Sequence, residues 1–437
     1  MGGEEARMKR FFPASRWFRA ALALLAMACL GQAAAPRPRR KIRRPVVKVA
    51  PQAAAKIENA RVLAPFFKDL ERLEDPAGER VVRIMHFGDS HTAADYWTGR
   101  IRSRLQARFG DGGPGLILPA RPWRGYHHEG VRLVEGLQWP ATSLREKGGD
   151  GLVGCTGGAL LPPQDGTFRL RAVFGEYRIQ VLGDAPPEVR VEPVADPLAL
   201  PPIQGPRLKE PATYTFEKPL EGHPALRILG RSEPSPNCPR EIAVSFPPGC
   251  RFLGLDLLSG RAGIVYDELG LNGAELLDLE RWLPELRETL LGAIRPDLLV
   301  LAYGTNDLGR PDLDPRDYTV RAGALLAALK RESGAAILVV GPLDRLGTRR
   351  RQVPALKAGA DRIVRCLSEA ARASGCAFWD ARKAMGGEGA IAKWRRAGLA
   401  QPDLVHLTGP GYARLGNQLV DALLTAFEHR GEERESE

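Results

Sequence analysis

The stretch VVRIMHFGDSHTAADYW, residues 81–97, decides the fold of this chain. The apolar run over residues 81–87 predicts a buried strand, which stops abruptly at Gly88, Asp89 and Ser90. From residue 95 to 109 an apolar side chain recurs every four residues, which predicts an amphipathic helix packed on a sheet. A strand, a tight turn and a helix in this order can expose a serine nucleophile. A serine at a strand end is more often a helix cap, however, so the rest of the chain has to decide.

The alternation of strands and helices returns in the last third of the chain. Almost wholly apolar strands separated by helices indicate a parallel sheet covered on both faces. Between about 125 and 254 the sequence is instead rich in Pro and Gly, with short alternating runs typical of a β-sandwich. We therefore predict one α/β domain, interrupted after its first helix by a β-rich insertion. The predicted α/β strands are 81–87, 263–266, 298–303, 336–340 and 377–379; the predicted helices are 63–74, 95–109, 279–294, 318–330, 356–373 and 411–427; the predicted insertion strands include 167–173, 177–182 and 241–246.

The N-terminal 35 residues are typical of an export signal. A basic region ending at Arg19 precedes an apolar run over residues 20–30, and the small residues Ala33 and Ala35 precede the predicted cleavage point. The apolar run is too short to cross a bilayer comfortably, since a spanning helix needs about twenty residues. An uncleaved anchor and lipid attachment at Cys29 are the alternatives. We predict a signal peptide at 1–35, a basic Pro/Ala-rich linker at 36–58, the α/β domain at 59–124 and 255–430, the insertion at 125–254, and a location in the periplasm or cell envelope of a bacterium.

The net charge of +11 on 437 residues is carried almost entirely by the N-terminal segment. Residues 1–55 contain twelve Lys or Arg and two Glu, a net charge of +10, which leaves +1 for the rest of the chain. A nucleic-acid-binding protein concentrates its basic residues on its folded part, so we expect no nucleic-acid partner. The basic linker can hold the folded part near an anionic envelope surface by charge alone. A spacer without a partner explains it equally well.

The cysteines and histidines do not predict a metal site. Cleavage after Ala35 leaves five cysteines, an odd number, so at least one thiol stays unpaired within the chain. Cys238 and Cys250 can close a loop in an oxidising compartment, and buried free thiols are the alternative. The sequence contains no CxxC pair and no HExxH helix, so we expect neither a metal nor another cofactor.

Polar residues follow the predicted α/β strands in a chemically coherent set. Ser90, Gly273 and Asn306 each come after a strand, while Asp403 and His406 lie just before the last helix. The carboxyl ends of parallel strands meet at one edge of a sheet, so we predict that these residues form one site. A serine hydroxyl needs a base within hydrogen-bond reach, here His406, and Asp403 would hold the imidazole in the required tautomer. Taken singly, each residue also fits an ordinary turn, cap or surface pair.

Four motif blocks in this set resemble the SGNH, or GDSL-type, hydrolases. The resemblance implies a flavodoxin-like, three-layer α/β domain, here interrupted by a β-sandwich similar to a carbohydrate-binding module. It also implies an oxyanion hole formed by the backbone N–H groups of Ser90 and Gly273 and the side-chain amide of Asn306. His91 stands where the name-giving motif has Leu, which makes the surroundings of Ser90 less lipase-like. The blocks are Gly88-Asp89-Ser90, Gly273 within GLNGA, Gly304-Thr305-Asn306-Asp307 and Asp403-Leu404-Val405-His406.

The export signal, the segment FGDGGPGLILP at 109–119 and the insertion together resemble the exported peptidoglycan O-acetylesterases. This implies a serine esterase that removes O-acetyl groups from a cell-wall polysaccharide, with O-acetylated peptidoglycan as substrate, through an acyl-serine intermediate. The alternatives are an acyltransferase with the same acyl-serine, a lipase or lysophospholipase of the same superfamily, and an inert glycan-binding envelope protein. Aromatic residues in and beside the insertion are candidates for stacking on sugars, although such residues more often form a sandwich core. They are Trp123, Tyr126, Trp139, Phe168, Phe174, Tyr177 and Tyr214.

Overall fold

A computed structural model describes most of the chain after residue 54. The described residues are 55–75, 78–119, 122–123, 125–136, 138–164, 166–194, 215–218, 225–232, 239–310, 312–347 and 353–430. The predicted signal peptide with Cys29, most of the predicted linker, Cys238 and Tyr214 lie outside them.

The described residues form seventeen strands and eight α-helices. The strands are β1 Val81–Gly88, β2 Asp111–Gly113, β3 Gly115–Ile117, β4 Val131–Glu135, β5 Ala141–Ser143, β6 Gly158–Leu160, β7 Thr167–Val173, β8 Glu176–Leu182, β9 Glu188–Pro193, β10 Thr215–Lys218, β11 Leu226–Ser232, β12 Pro239–Ser245, β13 Arg251–Leu258, β14 Gly263–Gly270, β15 Leu298–Ala302, β16 Ala336–Val340 and β17 Ala377–Trp379. The helices are α1 Ala64–Glu74, α2 Tyr96–Phe109, α3 Pro284–Ile294, α4 Pro315–Ser333, α5 Val353–Ala373, α6 Ala381–Met385, α7 Ala390–Arg396 and α8 Gly409–Glu428, with 3₁₀ turns at Ala60–Leu63, Leu276–Arg281 and Asp307–Gly309.

A six-stranded parallel sheet organises the α/β domain. Its strand order is β17-β16-β15-β1-β14-β2. Without the edge strand β2, the remaining strands are, from one edge to the other, β14, β1, β15, β16 and β17. Numbered in chain order, this is the flavodoxin-like order 2-1-3-4-5, whose topological switch point lies between the first and third strands. Here those two strands are β1 and β15, which pair in parallel from Ile84 with Leu298 to Gly88 with Ala302.

Side chains from alternate positions of these strands enter two separate cores. Val82 and Ile84 of β1 pack with α1, α2 and α8 on one face, whereas Met85 and Phe87 pack with α3, α4 and α5 on the other. Because both faces are covered, the strands carry almost no solvent-facing polar side chains, which explains the apolar runs in the sequence. The predicted fold class, a parallel-sheet α/β domain interrupted by a β-rich insertion, is confirmed.

One predicted helix is shorter than expected. The apolar spacing over 279–294 predicted a single helix, but the structure has a 3₁₀ turn at Leu276–Arg281 and starts α3 only at Pro284. Proline has no N–H to donate inside a helix, and its ring is best accommodated in the first helical turn. Pro284 therefore starts the helix where the apolar spacing alone would have continued it.

The insertion is a sandwich of two antiparallel sheets. One has the order β10-β11-β8-β13-β6-β5 with β3 on β13, and the other has the order β4-β7-β12-β9. Their facing side chains form one core, which includes Phe168, Ile179, Val244 and Phe252. Antiparallel pairing takes in residues on both sides of the predicted limits of 125 and 254, because β3 pairs with β13 and β13 runs on to Leu258 before a short turn leads into β14.

The aromatic residues considered as sugar contacts belong mainly to this core. Trp123 and Trp139 are partly buried and pack against it. The buried ones, each at most 9% exposed, are Tyr126, Phe168, Phe174 and Tyr177. Their ring faces are therefore not available to a polysaccharide.

A buried ion cluster joins the sandwich to the α/β domain. Arg83 of β1 donates through Nη1 to Asp256 of β13 at 2.9 Å, and its Nε lies 3.3 Å from Asp267 of β14. All three side chains are buried. Removing one partner of such a cluster is costly because the remaining charge has no water to solvate it.

Among the described residues, no helix is both long enough and apolar enough to span a bilayer. Cys155, Cys250, Cys366 and Cys376 are buried free thiols. No cluster of three or more His, Cys, Asp or Glu side chains suited to a metal ion occurs in the described part of the chain.

Candidate active site

Three neighbouring strand ends bring the predicted site residues to one edge of the parallel sheet. Gly88 at the end of β1 pairs with Gly270 on one side and Ala302 on the other, and Leu271 N donates to Gly88 O at 2.9 Å. Ser90, Gly273 and Asn306 follow these ends within two to four residues. A Cβ on Gly88 would lie 2.1 Å from Thr92 Oγ1, so glycine is required for the turn after β1 to fold back this closely.

Ser90, His406 and Asp403 form a hydrogen-bonded line. Ser90 Oγ lies 3.0 Å from His406 Nε2, and His406 Nδ1 lies 2.7 Å from Asp403 Oδ2. The other carboxylate oxygen accepts from the backbone N–H groups of Val405 and His406, each at 3.0 Å. Leu404 takes a left-handed φ of +58°, an unusual conformation for a residue with a side chain, which closes the turn so that Asp403 faces the histidine ring.

The carboxylate of Asp403 is 44% exposed, yet its hydrogen bonds dominate its titration. Partial burial acts to raise the pKa of Asp403, but the hydrogen bonds from the His406 ring and from the backbone of Val405 and His406 outweigh it. The net pKa lies below the ordinary value of 3.8. Asp403 is therefore an anion throughout the neutral range, as a group that orients an imidazole has to be.

The predicted oxyanion donors follow three neighbouring strand ends of the parallel sheet. Among the described residues, neither the N–H of Ser90 nor that of Gly273 has a protein acceptor. Gly273 has a left-handed φ of +73°. Asn306 Nδ2 donates to Ala274 O at 2.9 Å, which fixes the amide and leaves its second N–H for another acceptor. These groups can bind a developing negative charge on an oxygen held beside Ser90.

His91 and Tyr412 belong to the site, although sequence reasoning gave them no role. The buried His91 ring lies against His406 with 5.3 Å between ring centroids, and its Nδ1 is 2.8 Å from Tyr412 Oη. Burial, with the nearby His406 and Arg345 charges, lowers the pKa of His91 to about 3. A neutral imidazole therefore packs against the His406 ring. The only sequence signal for it was the departure from Leu in the first motif block.

The loop after β16 joins the third and fourth motif blocks through hydrogen bonds. Arg345 Nη1 donates to Thr305 O at 2.6 Å, and Leu346 N donates to Leu404 O at 3.0 Å. Arg345 of this loop also attracts the Asp89 carboxylate. Burial nevertheless raises the pKa of Asp89 to about 6, against this attraction and the hydrogen bond from His91 N. The segment after β16 carries no recognisable motif, so sequence alone gave no reason to place it here.

A small hollow lies next to the loop that carries Gly273, between Leu271 and Ala274. Phe87, Leu271, Ala274 and Tyr303 line it from the α/β domain, and the insertion contributes Leu144, Thr156 and Gly157. The wall is mainly apolar, and both domains form it.

Comparison with known proteins gives one family and one extensive structural likeness. Residues 248–414 match the model of the GDSL-like lipase/acylhydrolase family, which takes in the second, third and fourth motif blocks. A solved structure described as a peptidoglycan O-acetylesterase in action has 23% identity and a TM-score of 0.65, covering 85% of this chain and 98% of its own. A lipase/acylhydrolase from Enterococcus faecalis has 18% identity and a TM-score of 0.29, covering 39% of this chain and 77% of its own. No curated protein matches the sequence significantly. The first two matches confirm the resemblance carried by the motif blocks.

Proposed function

We propose that the protein is a serine esterase that removes O-acetyl groups from a cell-wall polysaccharide, with O-acetylated peptidoglycan as its substrate. The match of residues 248–414 to the model of the GDSL-like lipase/acylhydrolase family supports this proposal. The protein acts in the bacterial cell envelope after export. The observation that carries the proposal is the line of hydrogen bonds from Ser90 Oγ through His406 to Asp403, at 3.0 and 2.7 Å.

The geometry supports acyl transfer in two steps. His406 Nε2 takes the proton of Ser90 as the hydroxyl attacks the ester carbonyl, and Asp403 stabilises the imidazolium that forms. The carbonyl oxygen becomes an oxyanion next to the N–H groups of Ser90 and Gly273 and the free N–H of Asn306. The bond from the acyl carbon to the sugar oxygen then breaks as His406 gives its proton to that oxygen, which releases the sugar hydroxyl and leaves an acetyl-serine. A water molecule, deprotonated by the same histidine, hydrolyses the acetyl-serine and restores the enzyme.

The residue after Ser90 supports a short acyl group. His91 stands where the name-giving motif of the resembled family has Leu, which makes the surroundings of Ser90 less suited to a fatty acyl chain.

An exposed aromatic ring near the site supports a sugar substrate. Tyr96 is 59% exposed, and among the described side chains no other Tyr, Phe or Trp is as exposed. Its ring is nearly parallel to that of Tyr412, with 9° between planes and 6.1 Å between centroids. Tyr412 in turn bonds to His91, which packs on His406. An exposed aromatic ring held in one orientation and linked to His406 through Tyr412 and His91 suits the apolar face of a pyranose ring.

The structural likeness to a peptidoglycan O-acetylesterase supports the same substrate class. It covers 85% of this chain, so it takes in the insertion as well as the α/β domain. The anionic envelope surface also suits the basic residues 36–55, which carry no acidic residue.

The decisive experiment uses the purified full chain and measures acetate released from O-acetylated peptidoglycan, from acetylated xylan and from an aryl acetate. We expect faster release from peptidoglycan than from xylan, and loss of nearly all turnover in Ser90→Ala. A fluorophosphonate should label the wild type and not the variant. Ser368→Ala, which changes a half-buried serine on α5 that donates to Glu58, is the control. Undiminished hydrolysis by Ser90→Ala would reject the esterase. Polysaccharide binding without labelling of Ser90 would favour an inert glycan-binding protein.

A further inference from the structure

The turn after β5, in the insertion, places the guanidinium of Arg145 against the α/β loop that carries Gly273. Arg145 Nη1 donates to Asn272 O at 2.9 Å. The carbonyl of Asn272 and the N–H of Gly273 belong to one peptide group, so Arg145 binds the very unit that supplies a predicted oxyanion donor. No motif in the sequence points to Arg145.

The geometry of this peptide group relates the two contacts. The described chain has no cis peptide bond, so the C=O of Asn272 and the N–H of Gly273 point in opposite directions. The N–H has no protein acceptor among the described residues, while the C=O receives the guanidinium. A Cβ built on Gly273 would lie 3.0 Å from Arg145 Cζ. The guanidinium therefore occupies the space that glycine leaves open.

The turn that carries Arg145 is anchored on both domains. Leu144 N donates to Gly157 O at 3.0 Å within the insertion, and Leu144 O accepts from Arg281 Nη1 of the α/β domain at 3.0 Å. The Leu144 side chain is buried in the α/β core together with Leu271. These contacts hold the backbone of residue 145 in place, although its side chain is exposed.

A cation that donates to a carbonyl oxygen changes the same peptide's N–H. The hydrogen bond is charge-assisted, and it draws electron density from the nitrogen, which makes the N–H a stronger donor. It also fixes the plane of the peptide, so the N–H does not have to reorient as the oxyanion forms. Both effects act where negative charge appears in the transition state and not in the ground state, so they affect kcat more than KM.

We propose that Arg145 is a positioning residue of ester hydrolysis, through which the inserted sandwich completes the oxyanion hole by orienting and polarising the 272–273 peptide. The inference rests on the proposed function of Ser90, Gly273 and Asn306. It assigns the insertion a part in the chemical step, in addition to any contact with the polysaccharide.

The test compares Arg145→Ala with Arg190→Ala, which removes an exposed arginine of the same insertion that pairs with Glu188. Removing a whole oxyanion donor costs about 10²- to 10³-fold in rate, so weakening one donor should cost less. With an aryl acetate, Arg145→Ala should lower kcat about tenfold, with KM within about twofold of wild type. The rate at which a fluorophosphonate labels Ser90 should fall by a similar factor, because that adduct also carries its oxygen in the hole. Arg190→Ala should change neither rate.

A loss confined to KM, an unchanged kcat or an equal effect of Arg190→Ala would overturn the inference. A wild-type protein that neither hydrolyses the aryl acetate nor takes the label would instead refute the proposed function itself. The double variant of Arg145→Ala with Gly273→Ala tests whether the two residues act through the same peptide group. The new Cβ in Gly273→Ala lies 3.0 Å from Arg145 Cζ and should shift the guanidinium by a few tenths of an ångström, so adding Arg145→Ala should cost less than it does in the wild type. Strictly additive losses would show that Arg145 acts elsewhere.

Discussion

The α/β domain and the inserted sandwich use their sheets in opposite ways. Strands β1 and β15 are buried on both faces, so their polar chemistry is confined to the turns at their carboxyl ends. In the sandwich, β12 alternates buried and half-exposed residues along its length, and the aromatic side chains fill the core between the sheets. Reactive groups therefore gather on one edge of the α/β domain. The sandwich reaches that edge through backbone turns such as residues 144–149 and not through its aromatic rings.

The largest loss of activity is expected when His406, the proposed general base in the hydrogen-bonded line, is replaced. His406→Ala should lower kcat/KM by about 10⁴-fold or more, because the Ser90 hydroxyl then has no group to take its proton. Asp403→Asn should lower kcat/KM less, because Asp403 is 44% exposed and water can take over part of the charge stabilisation that its carboxylate provides. Aryl acetate kinetics measure both. His429→Ala, a change to an exposed histidine at the end of α8, is the control. Near-normal activity in His406→Ala would place the chemistry outside the α/β edge.

The junction between the two domains gives the next effect. Asp256→Ala leaves Arg83 buried with fewer partners and should lower the free energy of unfolding by about 3–5 kcal/mol. Asp150→Ala breaks an exposed pair with Arg251 and should cost at most about 1 kcal/mol. Urea unfolding measures both values. If the two variants were equally stable, the buried cluster would not hold the sandwich on the α/β domain.

Acid sensitivity offers a third comparison, between the buried His91 at the site and the apolar core of the sandwich. The pKa of His91 is about 3 in the folded protein and about 6.5 when unfolded, so below pH 6.5 the unfolded chain binds a proton that the folded chain does not. Stability from this residue thus falls as pH falls, by about 2 kcal/mol at pH 5. His91→Gln removes that term.

Buried carboxyls act in the opposite sense. The pKa of Asp89 rises to about 6, so the folded protein keeps a proton that the unfolded chain has lost, and acid favours folding through this group. The prediction therefore concerns the difference between His91→Gln and wild type. Urea unfolding at pH 7 and pH 5 should show a smaller loss of stability in the variant. Parallel losses would mean that His91 titrates normally.

The smallest effect concerns the substrate. Tyr96→Ala should lower kcat/KM for O-acetylated peptidoglycan about tenfold, as expected for the loss of one apolar contact with a sugar face, and should leave aryl acetate hydrolysis within about twofold. Tyr96→Phe keeps the ring and should behave like wild type on both substrates. Equal losses on both substrates would show that Tyr96 supports the site through Tyr412 and does not bind the sugar.

Sequence reasoning identified the strand-end residues because their spacing is local. Ser90, Gly273 and Asn306 each follow an apolar strand within a few residues, and one turn carries both Asp403 and His406. Arg145, Arg345 and Tyr96 lacked such a signal. Their positions depend on contacts between segments far apart in the chain, such as Arg145 with Asn272, which are 127 residues apart. The roles of all these side chains stay predictions until the variants are measured.

By itself, the sequence determined the α/β class, the β-rich texture of the interrupting segment and the residue types available for acyl transfer. Apolar periodicity and turn chemistry depend on near neighbours, so they can be recognised in one dimension. Only the tertiary structure decided that the sandwich packs on the sheet through Arg83 and Asp256, that its aromatic rings are core, and that His91 packs against His406. Those outcomes follow from burial and charge pairing among distant segments, where packing selects one arrangement from many that the local sequence permits.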